Sequence, residues 1–383
     1  MLIGAKKRNV KKIAIGDGAP PVIFTHVGIG AECENIDDAI LIEQEKIALA
    51  IKNGAHIICD VSTSNKVAYI QERLMQGLTV PFATVTAYEA YNEILGNEVA
   101  DYTDFLTVFE NQCKRGADVI TLHATVLRGD ESLFSESKNV IPSTSRGGIM
   151  MYELMRKFGI ENPFYEHFDK VLTIAKKHGV ALSFGPTYRP ASVLDCNLKG
   201  THLLELKRMA KLVTHAKKAG VTVMIEGVGH APLNQIGKII KKSKKICKAP
   251  YRCMTVSTDI AIGFDHISSA IASANAVYYG ADSVTCVTRS EHLGVPTVKD
   301  VEESVISTVI AVYSGYSART GDFSRDKKMS ISRKNQGCVG DLSVTLFPEK
   351  ALEEYKKRNK GECTMCGKFC PLKKQKEDKN GIF

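Results

Sequence analysis

Cys363, Cys366 and Cys370 form a C-x2-C-x3-C run near the end of the chain. Three thiolates this close can converge on one soft metal centre. A structural zinc site wants four ligands, and no histidine or fourth cysteine follows in the tail. A [4Fe–4S] cluster on three cysteines leaves one iron open to a small molecule. The other eight cysteines (Cys33, Cys59, Cys113, Cys196, Cys247, Cys253, Cys286 and Cys338) are scattered among apolar neighbours, where each reads as a small buried hydrophobe.

A second set of chemistry-bearing residues is spread along the chain. His230 and His292 offer two imidazoles, and two such ligands leave coordination positions open for substrate on a divalent metal. A single loop histidine is more often a surface or satisfied core residue, so the pairing carries that reading. Glu226 and Asp259 are the candidate catalytic carboxylates, with His123, Arg189 and Tyr88 in similar positions. Ser145-Arg146-Gly147 opens a helix, where free N–H groups, the dipole and a guanidinium suit a phosphate. A plain helix cap by Ser145 is the alternative there. His26, His56, His178, His202 and His215 fall within strand or helix bodies and read as structural.

What must position these groups is a repeated pattern. Strand candidates are Val22–Val27, His56–Val61, Phe82–Thr86, Asp118–His123, Ala181–Gly185, Thr222–Glu226, Cys253–Thr258 and Ser283–Val287. Between them lie segments of helical period such as Ile36–Lys52, Tyr102–Lys114, Asp169–His178, Leu203–Lys218, Asn234–Lys245 and Ser268–Tyr279. Several end in a glycine followed shortly by the next strand, the signature of an αβ loop. Eight such units specify a (β/α)8 TIM barrel more readily than an open sheet, whose phosphate fingerprint survives only as Gly28-Ile29-Gly30. The expected organisation is an N-terminal segment (1–20), the barrel (21–298), a C-terminal helical region (299–355) and a cluster tail (356–383). In such a barrel, catalytic groups gather where strands end. Glu226 ends the sixth strand, His123 closes the fourth, and Arg189, Asp259 and His292 fall in the loops after the fifth, seventh and eighth.

The net charge of +9 sits largely in Lys238–Lys248 and Lys356–Lys379, which read as solvated. No nucleic-acid recognition motif accompanies it. Apolar runs such as Ile306–Tyr313 are far short of the roughly 20 residues of a membrane helix. The N-terminus lacks a secretory pattern, so a cytoplasmic protein is expected.

An open iron can chelate the amine and carboxylate of S-adenosylmethionine, the arrangement radical enzymes use. The chain resembles the phosphomethylpyrimidine synthase (ThiC) family of radical S-adenosylmethionine enzymes. The resemblance is carried by HIICDVST (56–63), TLHATV (121–126), STSRGGIM (143–150), NPFYEHFD (162–169), GPTYRPAS (185–192), MIEGVGHAP (224–232), STDIAIGFDH (257–266), EHLGVP (291–296) and CTMCGKFC (363–370). It implies a barrel with a C-terminal cluster tail exchanged within a homodimer, and a flavodoxin or ferredoxin as electron donor. It also implies conversion of aminoimidazole ribonucleotide to hydroxymethylpyrimidine phosphate in thiamine biosynthesis. By motif, Cys363, Cys366 and Cys370 would hold the [4Fe–4S] cluster, and His230 and His292 a zinc or iron ion. Tyr88, His123, Ser145, Arg146, Gly147, Arg189 and Glu226 would hold the phosphoribosyl substrate. The chain departs from the family in a tail one residue shorter than C-x2-C-x4-C. Pro186-Thr187-Tyr188-Arg189 stands where the family has Asp-Gly-Leu-Arg, Gly28 for an Asn, and Cys59 for a Met. These changes leave two further readings: a paralogue making 5-hydroxybenzimidazole or another product, and a zinc-binding, non-catalytic barrel.

Overall fold

Short runs of β-branched and aliphatic residues, buried on both faces, are what a closed parallel sheet wrapped by helices requires. The computed structural model describes residues 2–4, 10–16, 18–135, 137–196, 198–358 and 364–377. Its strands are β1 (Leu2–Ile3), β2 (Ile13–Ala14), β3 (Val22–Val27), β4 (Ile57–Asp60), β5 (Phe82–Val85), β6 (Val119–Leu122), β7 (Ala181–Phe184), β8 (Val223–Glu226), β9 (Tyr251–Cys253) and β10 (Ser283–Cys286). β1 and β2 pair antiparallel. β3 to β10 close in sequence order, β10 returning to β3 with Ser283 opposite Val22. Every barrel pairing is parallel, so the chain is a (β/α)8 barrel, as its sequence pattern predicts.

The junction glycines do the expected work. Gly179 (φ 72°) and Gly220 (φ 76°) end their helices in the left-handed conformation, and their N–H groups bond back to Ala175 and Ala216. β7 and β8 begin within three residues. The first barrel strand matches its expected range, most others are shorter by one residue at one or both ends, and two differences have a clear local cause. The third strand stops at Val85, because Thr86 already opens the helix Thr86–Ile94. The seventh strand is Tyr251–Cys253 rather than Cys253–Thr258, and the later segment contributes a single bridge, Val256 to His230. An arginine at the centre of β9 hides it from any count of apolar residues.

The chain divides into two compact units, Met1–Arg319 and Thr320–Phe383. The first holds the barrel. The second contains the helices Ser324–Gln336, Pro348–Arg358 and Pro371–Glu377. Within it, the Arg325 guanidinium donates to the carbonyls of Val344 (2.7 Å) and Thr345 (2.5 Å). Among the described residues, no helix is long and apolar enough to cross a membrane.

Candidate active site

A cavity of about 510 Å³ opens among the loops that follow the barrel strands. Its walls include Tyr88, His123, Ser145, Arg146, Gly147, Arg189, Glu226 and His292, all singled out by sequence. They also include Gly28 and Cys59, two positions where the chain departs from the family it resembles, and His26 and Arg252, which the sequence did not mark as site residues.

One wall is built for an anion. Ser145 caps the helix Arg146–Phe158, its hydroxyl accepting from the Gly148 N–H at 3.3 Å, so the cap reading is realised. Capping does not exclude anion binding, since the helix start and its dipole still face the cavity through Ser145, Arg146 and Gly147. The Arg146 guanidinium lies 5.6 Å from the Tyr88 ring centroid. A Cβ on Gly147 would collide with the His123 ring, so glycine lets the imidazole pack against the helix start.

At the centre is a buried polar network. Glu226 Oε1 accepts from Thr121 (3.0 Å), Ser183 (2.9 Å) and Arg252 (3.1 Å), while Oε2 accepts from Arg189 (3.3 Å). Burial by itself would push this carboxyl up, but the two guanidiniums and the hydroxyl donors hold it down at about 2. Glu226 is therefore ionised at neutral pH. Arg252 also donates to Thr285 (2.8 Å) and to His26 Nε2 (2.9 Å), and stacks 4.1 Å from the Phe24 centroid. A guanidinium only donates, so His26 Nε2 must accept and its proton sits on Nδ1. Burial, with Arg252 adjacent, lowers His26 to about 3, and burial lowers His123 to about 4. Both rings are neutral at physiological pH. Among the described residues, the buried His123 Nδ1 has no hydrogen-bond partner. Burial raises the Cys59 thiol to about 12, so it stays protonated.

The candidate metal ligands come together. The His230 and His292 rings lie 5.4 Å apart. His230 Nδ1 is 2.8 Å from Asp259 Oδ1, and His292 Nδ1 is 3.0 Å from Asp265 Oδ1. A carboxylate on Nδ1 fixes the tautomer and leaves Nε2 with a lone pair, the arrangement of metal-binding histidines. The pair thus fits a divalent ion. Asp259 also accepts from Ser192 (3.0 Å) and the Val193 N–H (2.9 Å). Its carboxylate orients His230 and ties down a loop; it does not line the cavity.

Cys363 lies outside the described residues. Cys370 is buried and Cys366 half-buried in the second unit. Cys59, Cys113, Cys196, Cys247, Cys253 and Cys286 are buried as expected; Cys33 and Cys338 are only half-buried, and the sulfur of Cys338 lies 3.8 Å from that of Cys370. Cys338 is not the isolated core residue its neighbours suggested. Among the described residues, no three His, Cys, Asp or Glu side chains are gathered to hold a metal ion.

A closed parallel barrel with a helix start facing its cavity, a buried ion network and paired histidines has the arrangement of a (β/α)8-barrel enzyme site. Residues 1–377 match the Radical SAM ThiC family. The chain is 35% identical over 390 residues to the phosphomethylpyrimidine synthase of Carboxydothermus hydrogenoformans, covering 95% of this chain and 90% of that one. It is 36% identical over 380 residues to that of Methanopyrus kandleri, covering 96% and 87%. The corresponding figures for Archaeoglobus fulgidus are 35% over 380 residues, 97% and 88%. The chain belongs to the Radical SAM ThiC family, and membership implies an iron–sulfur cluster and S-adenosylmethionine.

Proposed function

We propose that this chain is a phosphomethylpyrimidine synthase, a radical lyase that rearranges aminoimidazole ribonucleotide into hydroxymethylpyrimidine phosphate for thiamine synthesis. The observation that carries this is the placement of an anion cradle and a buried, ionised Glu226 in one cavity with His292, whose ring neighbours His230. A phosphoribosyl substrate needs its phosphate held at one end and its heterocycle and ribose at the other. Arg146, Arg189 and the free N–H groups at the helix start bind the phosphate. His123, neutral and with Nδ1 unpartnered, offers a hydrogen bond to the heterocycle or ribose. Glu226, held ionised by Arg252 and Arg189, is the proton acceptor nearest this network.

Cys363, Cys366 and Cys370 would hold the cluster, and His230 and His292 a divalent zinc or iron ion. With S-adenosylmethionine, the cluster supplies the one-electron chemistry that generates a carbon radical; its electron comes from a flavodoxin or ferredoxin. The protein works as a homodimer in the cytoplasm, which sedimentation of the full chain tests for its first half. Incubating anaerobically reconstituted protein with reductant, S-adenosylmethionine and aminoimidazole ribonucleotide tests the activity. Formation of 5′-deoxyadenosine and hydroxymethylpyrimidine phosphate is expected. Deoxyadenosine with a different organic product, such as 5-hydroxybenzimidazole, would keep the radical chemistry and replace the substrate assignment. No deoxyadenosine at all would remove both.

A further inference from the structure

Cys338 lies 32 residues before Cys370, yet their sulfurs stand 3.8 Å apart within the second unit. The spacing has a chemical meaning. Two thiolates bound to one tetrahedral ion at about 2.3 Å each are separated by about 3.8 Å. A disulfide would bring them to about 2.05 Å. In a four-iron cluster each cysteine binds its own iron, which sets the sulfurs farther apart. The approach is that of two thiols in contact, and the pair could bind one metal ion with less change of spacing than a disulfide or a four-iron cluster would need.

The surroundings suit this role. Cys338 is half-buried and Cys370 buried, so an ion between them is partly shielded from water while an exchange path stays open. The Cys338 carbonyl accepts from the Arg333 guanidinium at 2.9 Å, which anchors the turn that carries the thiol. Cys366 is the other thiol among the described residues of this unit, and its charge acts on Cys338. The three thiols do not already form a closed metal-binding group. Cys366 and Cys370 flank the one-turn helix Gly367–Phe369 as its two caps, so both thiols are carried by the same short element.

We propose that, before the cluster is built, Cys338, Cys366 and Cys370 bind one thiophilic divalent ion, zinc or ferrous iron, with Cys338 as the ligand that the cluster state does not use. This goes beyond the cluster reading, because it concerns the cluster-free chain and a cysteine outside the C-x2-C-x3-C run. The ion would hold two of the tail thiols reduced and in place until iron and sulfide arrive.

Cobalt(II) is the probe, since only thiolate ligands give sulfur-to-cobalt charge-transfer absorption in the near ultraviolet. A histidine-bound ion at His230 and His292 does not, and a His230→Ala/His292→Ala background removes that site from the stoichiometry. Cluster-free, fully reduced protein in this background should take up one equivalent of cobalt with the charge-transfer band and tetrahedral ligand-field bands. Zinc added afterwards should bleach both. Cys338→Ala should weaken the uptake by at least about tenfold and reduce the band. Cys338→Ser, which conserves shape, should do the same. Both variants should still incorporate iron and sulfide on anaerobic reconstitution at the level of the parent, which separates this site from the cluster itself. Unchanged cobalt affinity and absorption in Cys338→Ala would overturn the proposal. So would the absence of a thiolate-type band in the parent protein.

Discussion

The Arg252 guanidinium meets the Glu226 carboxylate at 3.1 Å inside the barrel, with both side chains almost wholly buried. Breaking such a pair strands a charge where water cannot reach it. Arg252→Met should therefore cost about 3–5 kcal/mol of stability. Arg252→Lys should rescue little, because one ammonium cannot reach Glu226, Thr285 and His26 together as the planar fork does. Urea unfolding of the three proteins checks this; a fully stable Arg252→Met would show that the pair contributes nothing.

The same network sets an acid limit. In the unfolded chain Glu226 titrates near 4.5, but folding lowers it to about 2, so its contribution is present above 4.5 and is lost as pH falls toward 2. His123 runs in the same direction by the opposite chemistry. Folding lowers it from 6.5 to about 4, so the unfolded state takes up the proton first and stability drops as pH falls from 6.5 to 4. Glu226→Gln should flatten the pH dependence of unfolding free energy mainly below 4.5. His123→Asn should flatten it mainly between 4 and 6.5. Identical profiles in parent and variants would refute the assignment of these limbs.

Much of this architecture could be read from the sequence because its determinants are local. A glycine after a helix marks the helix end from local conformation alone, and after Gly179 and Gly220 the next strand follows at once. Strand-end polar residues could be found for the same reason. Arg252 and His26 could not, because their partners are distant in sequence. Arg252 is paired with a carboxylate 26 residues away and an imidazole 226 residues away. In isolation an arginine argues against a strand interior, and a histidine in a strand body reads as packing. Cys338 escaped in the same manner, its neighbour Cys370 being 32 residues further on.

Asp259 meets His230 Nδ1 at 2.8 Å and does not line the cavity, so its effect is expected to run through His230. Asp259→Asn keeps the shape but weakens the hold on the Nδ1 proton, so affinity for a divalent ion should fall about 10–100-fold. His230→Ala and His292→Ala should each lose the ion. Metal content after dialysis against graded chelator reads all three, and equal retention across the set would abolish the site.

Arg146 faces the cavity at the start of a helix and forms no ion pair among the described residues, whereas Arg189 is also engaged with Glu226. Arg146 is thus the cleaner test of phosphate binding. Loss of a charge-assisted hydrogen bond costs about 1.5–3 kcal/mol, which is roughly 10–150-fold in affinity. Arg146→Ala should weaken binding of aminoimidazole ribonucleotide by that factor while leaving binding of the dephosphorylated nucleoside unchanged. Calorimetry with both ligands makes the comparison, and equal losses for the two would place Arg146 away from the phosphate.

The cysteines allow a contrast between two buried sulfurs with different roles. Cys253 closes β9, is 2% exposed, and its thiol contacts the Thr255 hydroxyl at 3.2 Å. Replacing it with alanine removes one atom from a packed interior and should cost about 1 kcal/mol. It should not change iron or sulfide content. Cys366→Ala takes a thiolate from the C-x2-C-x3-C run and leaves two, too few for a stable site-differentiated cluster. It should lose the brown colour and bound sulfide, and form no deoxyadenosine from S-adenosylmethionine, while the barrel unfolds at the parental temperature. The two readouts are opposed by design. A Cys366→Ala protein that keeps its cluster would mean that the tail cysteines are not the ligands, and a Cys253→Ala protein that loses it would point into the barrel instead.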